Sequence, residues 1–226
     1  MPSMNVNSLL DGDTLWRGHS PHHGPDRGMA DRVARQPTGY AALDTVLPRG
    51  GWPDQALSEI LFGADGVGEI RLLWPTLARL TQTGAGRPVV LIAPPYIPYA
   101  PAWQAAGIDL RHLQVVQAPN STEALWAAEQ CLRSGACSAV LCWPHKADDR
   151  ALRRLQVAAQ TGQALGFVFR DQRESRNPSP AALRLQISSE LSGPKVRILK
   201  CRGGTPPANA IPLNPQSQPT LRVAAV

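Results

Sequence analysis

The sequence predicts an α/β fold: a mostly parallel sheet with helices on both faces and an antiparallel hairpin near its C-terminal end. Three observations carry this. Short apolar runs alternate with amphipathic helical segments along most of the chain. Runs such as PVVLIAP, SAVLCW and LGFVF are continuously apolar, as strands buried on both faces must be. Two later runs, LRLQISS and KVRILKC, flank the turn-forming Ser192-Gly193-Pro194 and read as a hairpin at the sheet edge.

The elements follow in order. Residues 1–37 mix Gly, Pro, His and charge and read as a mobile arm. A domain over residues 38–202 opens with TGYAALDTVL, which places Tyr40, Leu43, Val46 and Leu47 on one helical face. ALSEILF is a short strand, GADGVGEI a glycine-rich loop, and Leu72, Leu73, Leu77 and Leu80 mark the next helix. Strand PVVLIAP precedes a short helix near Ala100–Ala106 and strand LQVVQ. A further helix opens at Asn120, with Glu123 completing a capping box, and stops at Gly135. SAVLCW, helix DDRALRRLQVAAQ, LGFVF and the hairpin complete the domain. Residues 203–226 are rich in Pro and polar groups and read as a disordered tail.

Composition narrows the function. A chain of 226 residues can bury one sizeable core. No apolar run approaches the roughly 20 residues that span a bilayer, and no signal peptide is evident, so a cytoplasmic protein is expected. Cys131, Cys137, Cys142 and Cys201 form no C-x-x-C pair, which fits buried reduced thiols better than a disulfide framework or a zinc site. His19, His22 and His23 lack spaced partner ligands, so no metal is expected. The net charge of +6 is unevenly placed: residues 146–202 hold 12 Lys and Arg against 5 Asp and Glu. A basic half of this kind suits nucleic acid, an acidic protein, or solvent alone.

The loop at residues 63–70 has the frame of a phosphate-binding loop, with Gly63 and Gly68 correctly spaced. Glu69 stands where lysine would reach a phosphate, and Ile70 where a hydroxyl would hold magnesium. No catalytic residue and no cofactor are expected.

The order TG–helix–glycines–strand–glycine loop–helix resembles the RecA-like recombinase fold over roughly residues 38–202. That resemblance implies a three-layer core with a degenerate nucleotide site. The recombinases carry an activating carboxylate after the strand matching VVLIAPP, where Ala93, Pro94 and Pro95 stand. They carry a magnesium-supporting aspartate after the strand matching SAVLCW, where Trp143 and Pro144 stand. Gln172 matches a glutamine that they retain. LWRG, TGYAALD, LPRGGWPDQALSEIL and LIAPPYIPYAPAWQAAGIDL look like the SulA/ImuA group of bacterial DNA-damage-response proteins. Within that group, length and the Pro-rich tail suggest the ImuA branch. The resemblance then implies a non-enzymatic, SOS-induced adaptor of mutagenic translesion synthesis, acting with an ImuB-like Y-family polymerase relative and an error-prone C-family polymerase. The alternative is a SulA-like division inhibitor acting on FtsZ.

Two groups of residues are candidates for contact with partners. Tyr96, Tyr99 and Trp103 lie after a central strand, and Leu221 and Val223 near the end of the tail, as possible protein anchors. Arg170, Arg173 and Arg176 occupy the place of the recombinases' DNA-contacting loop and are candidates for phosphate contact. His145 follows a strand end with no catalytic partner near it in sequence.

Overall fold

The computed structural model describes residues 36–64, 68–83, 86–190 and 193–213. Its eight strands form one sheet in the order β3-β2-β4-β5-β1-β6-β7-β8. They are β1 (Leu57–Phe62), β2 (Val89–Ile92), β3 (Leu113–Val116), β4 (Ala139–Cys142), β5 (Leu165–Asp171), β6 (Leu183–Glu190), β7 (Gly193–Cys201) and β8 (Ile211–Pro212). Strands β1 to β6 pair in parallel, β7 runs antiparallel to β6, and β8 runs antiparallel to β7. The helices are α1 (Ala41–Asp44), α2 (Trp74–Thr83), α3 (Ala100–Ala105), α4 (Ser121–Arg133) and α5 (Asp149–Thr161).

Because side chains alternate across a strand, each apolar run feeds two separate layers. Val89 and Leu91 of β2 face one core with Ile60, Phe167, Leu77 and Leu185. Val90 and Ile92 face the other, with Val140, Val168 and the inner sides of α4 and α5. That double burial explains the unbroken apolar runs in β2 and β4.

The predicted N-cap of α4 forms, but the reciprocal bond of a capping box comes from the Asn120 side chain rather than its backbone N–H. Asn120 Oδ1 accepts from the Glu123 N–H at 3.0 Å, and Asn120 Nδ2 donates to Glu123 Oε1 at 2.9 Å. Asp148 caps α5 in the same way, accepting from the Ala151 N–H at 2.7 Å.

The TGYAALD segment forms a knot rather than the long helix expected. The Thr38 N–H and hydroxyl both donate to Asp44 Oδ1, at 2.9 and 2.6 Å, and only Ala41–Asp44 are helical. Gly39 has φ +88°, and a Cβ there would lie 2.3 Å from Pro75 Cβ, so glycine is required on two counts. Val46, expected on the buried face, is 37% exposed.

Two expectations at the C-terminal end need correction. The hairpin strand β7 is not the sheet edge, because β8 pairs outside it through Val196↔Ile211. The tail expected at residues 203–226 is therefore ordered in its first part, with Ile211 and Leu213 buried in the larger apolar layer. Residues 214–226, with Leu221 and Val223, lie outside the described residues, as does most of the arm at 1–37.

Candidate functional site

Parallel α/β sheets place their crevices beyond the carboxyl ends of the strands. Here a cleft of about 310 Å³ opens there, bordered by Phe62, Gly63, Ala93, Pro95, Trp143 and His145. Its floor is aromatic. Trp143 stacks on Phe169 with centroids 4.4 Å apart and planes 5° from parallel, and Phe62 meets Phe169 edge-on at 6.4 Å. The residue standing where an aspartate was sought thus serves the core.

In the described part of the glycine loop, Gly68 has φ +97°, a conformation that glycine adopts without strain. Glu69 is buried, and Ile70 packs against the apolar layer beneath. Gly63 lies against the Gln172 side chain, whose Nε2 would be 3.1 Å from an added Cβ. The chain then forms a 3-10 turn at Arg71–Leu73 before α2 begins.

Beside the cleft lies a buried charge network that sequence reasoning missed. Glu59, with no exposure at all, sits at the middle of β1. Its carboxylate accepts from Arg170 of β5 at 2.7 Å and from Arg184 of β6 at 2.5 Å. Arg170 also donates to Glu174 at 2.8 Å and to the Ala147 carbonyl at 2.6 Å. Arg184 donates to the Glu174 and Asn177 carbonyls, both at 2.9 Å. One carboxylate thus joins three neighbouring strands and pins the turn at Gln172–Arg176. The signal was present: a lone acid inside ALSEILF and a lone Arg inside LRLQISS.

The network corrects one candidate. Arg170 is 6% exposed and its guanidinium is consumed by protein partners, so it is unavailable to a nucleic-acid backbone. Arg173 and Arg176 are exposed on the same turn.

The aromatic candidates divide as well. Tyr96 and Tyr99 are 70% and 71% exposed, with Ile97 between them at 87%. Four prolines at 94, 95, 98 and 101 stiffen this loop. Trp103 does not join them: it is buried in α3 against the core. His145 is exposed at the cleft rim.

Among the described residues, no group of three His, Cys, Asp or Glu is placed to hold a metal, and no helix is long and apolar enough to cross a membrane. Cys131 and Cys137 interact across the end of α4. The Cys131 thiol hydrogen-bonds Cys137, and with Ser134 and the Arg87 guanidinium it lowers Cys137 to about 7, while Cys131 is pushed up. Burial pushes Cys142 up to about 12. The larger cavity, about 440 Å³, lies at the opposite end of the sheet, between residues 47–56 and Cys201–Gly203.

The cell division inhibitor SulA family model matches residues 55–166. The cell division inhibitor SulA of Pectobacterium carotovorum subsp. carotovorum is 34% identical over 131 residues, 57% of this chain and 74% of the relative. That of Pectobacterium atrosepticum is 34% identical over 116 residues, 50% of this chain and 67% of the relative. The crystal structure of SulA from Pseudomonas aeruginosa aligns at 30% identity with a TM-score of 0.44, covering 51% of this chain and 97% of that one. These relatives are division inhibitors, which overturns the expectation of a translesion adaptor working with an ImuB-like protein and an error-prone polymerase. Length and a Pro-rich C-terminus were too coarse to separate the two branches.

Proposed function

The chain belongs to the SulA family, and from that premise we propose that it inhibits cell division by binding the division GTPase FtsZ. The family match over residues 55–166 carries the reading. The contact surface fits within that span: Tyr96, Ile97 and Tyr99 stand out on a proline-stiffened loop, so little conformational entropy is lost on docking. Large amphipathic aromatics of this kind serve as interface anchors. In this reading the protein is cytoplasmic and acts in the DNA-damage response.

The protein is also a non-enzymatic, RecA-like chain whose nucleotide site is degenerate. The glycine loop leaves the carboxyl end of β1, strand-to-helix as a phosphate loop must, and this position supports the kinship. A carboxylate in place of lysine would repel a phosphate charge by roughly 4 kcal/mol at about 4 Å and an effective dielectric of about 20. The Trp143–Phe169 stack adds apolar surface where magnesium would need oxygen ligands.

Sedimentation of FtsZ polymers with GTP tests the principal claim. Polymer yield should fall as this protein approaches equimolar concentration. Y96A/Y99A should raise the concentration needed by tenfold or more, about 1.4 kcal/mol. Undiminished polymer at equimolar wild-type protein refutes the function; equal potency of the variant refutes only the surface. Equilibrium dialysis should find no micromolar affinity for Mg·ATP, and such affinity would refute the degenerate-site reading.

A further inference from the structure

We propose that the α5-side face of the β6–β7 hairpin binds the phosphate backbone of a nucleic acid. The proposal is independent of the FtsZ reading, because the hairpin lies beyond residue 166, where the family match ends. Residues 167–213 hold eight Lys and Arg against three Asp and Glu, a balance of +5 in a chain whose total is +6.

Strand alternation sorts these charges onto one face. Val196 and Ile198 of β7, with Leu185 and Ile187 of β6, turn into the larger apolar layer. Lys195 and Arg197 therefore point to the other side, opposite Ser188 and Gln186 of β6. Helix α5 lies over β1 and β5 on that side, and the apolar layer beneath α4 and α5 takes no residue from β6 or β7. The hairpin face is thus polar and uncovered by this layer. A shift in register between Arg184 and Leu185 brings Lys200 opposite Arg184. Arg202 follows at the end of β7, and the exposed Arg173 and Arg176 lie on the turn that Arg184 anchors.

The charges are poorly neutralised. Among the described residues, no carboxylate lies within ion-pair distance of Arg173, Arg176, Arg197 or Arg202, although Lys195 is held by Glu190 at 2.5 Å. Lys200 donates to the Ser179 carbonyl at 2.7 Å. Partial burial, then Arg202 and Arg184, lower its affinity for a proton, against the smaller opposing pull of Glu59 and Asp149. Alternate residues along a strand are about 6.8 Å apart, so Lys195 and Arg197 present a spaced row rather than a point. The hairpin contains no Trp, Tyr or Phe on which bases would stack, so recognition goes to phosphates and is indifferent to sequence.

Fluorescence polarisation with a labelled 30-nucleotide oligo-dT, between 50 and 200 mM salt, tests this. Three phosphate contacts on single-stranded DNA give a slope of log K against log salt of about −2, or about twentyfold weaker binding across that range. R197A/R202A should reduce the slope by about 1.4, and R197K/R202K should restore it. Both substituted arginines, Arg197 and Arg202, are exposed, so a circular-dichroism melt should show both variants folded. No binding at 50 mM salt overturns the proposal. So does an unchanged slope in R197A/R202A, or poly-glutamate competing as well as the oligonucleotide at equal charge, which would assign the face to an acidic protein instead.

Discussion

At the scale of single residues, Glu59 has the greatest consequence. Two guanidinium groups that are almost wholly buried pair with its carboxylate, and among the described residues Arg184 has no other carboxylate partner while Arg170 has Glu174 as well. Removing one partner of a buried ion pair leaves an uncompensated charge, at a cost of about 3–5 kcal/mol. E59Q should therefore lower unfolding free energy by that amount in urea, and a loss below about 1 kcal/mol would show the arginines to be solvated. The Cys131–Cys137 pair yields a pH dependence. Cys137 is lowered in the folded chain, so its contribution is complete above the ordinary thiol range and disappears as pH falls through about 7. Cys131 is raised, so its contribution is lost as pH rises above the thiol range near 8.5. The melting temperature of wild type relative to C137S should therefore climb between pH 6 and 8.5. A flat difference would dissolve the coupling. Neither feature was legible as a site: a lone Glu in an apolar strand signals buried compensation but not which distant residues supply it.

At the scale of elements, the sequence was most informative where local chemistry decides the outcome. The apolar runs became β1, β2, β4 and β5, and Asn120 with Glu123 marked the start of α4. Local rules failed where a distant partner decides. Strand β8 has two residues inside a Pro-rich run, and only pairing with Val196 makes it a strand. The short helix α1 yielded to the Thr38–Asp44 knot for a similar reason. Burial gives β8 a measurable weight. Ile211 and Leu213 are 8% and 5% exposed, and burying such side chains contributes about 1.5–3 kcal/mol each. Truncation after Gly204 should thus lower stability by about 3 kcal/mol or more, whereas truncation after Leu213 spares both contacts. Equal melting temperatures for the first truncation and the full chain would remove β8 from the fold.

At the scale of the whole molecule, the sheet has a centre and two unlike margins. Strand β1 is flanked by β5 and β6 and is buried at every residue. Strand β3 forms one margin, with Val115 44% exposed, and β8 the other. Amide exchange should follow this gradient, slowest in β1 and β5 and fastest in β3, because edge amides open locally rather than globally. Exchange of β3 peptides as slow as that of β1, followed by mass spectrometry, would contradict it. The candidate site was half visible in the same sense. The aromatic loop and the altered glycine loop were readable from residue types, but the inward turn of Trp103 and the capture of Arg170 depend on packing between elements distant in sequence.

The ion network also sets how this chain can be divided or recombined. Glu59 lies within the span matched by the family model, whereas Arg170 and Arg184 lie beyond it. The hairpin is therefore not a cassette that can be transplanted or discarded at residue 166. A graft of residues 167–213 onto a host without an acid at the Glu59 position would bring Arg184 into its interior as an orphan cation and leave Arg170 with Glu174 alone. Deleting those residues here would leave an orphan anion at the centre of the sheet. The two halves are constrained to change together, and a successful chimera must exchange Glu59 with them.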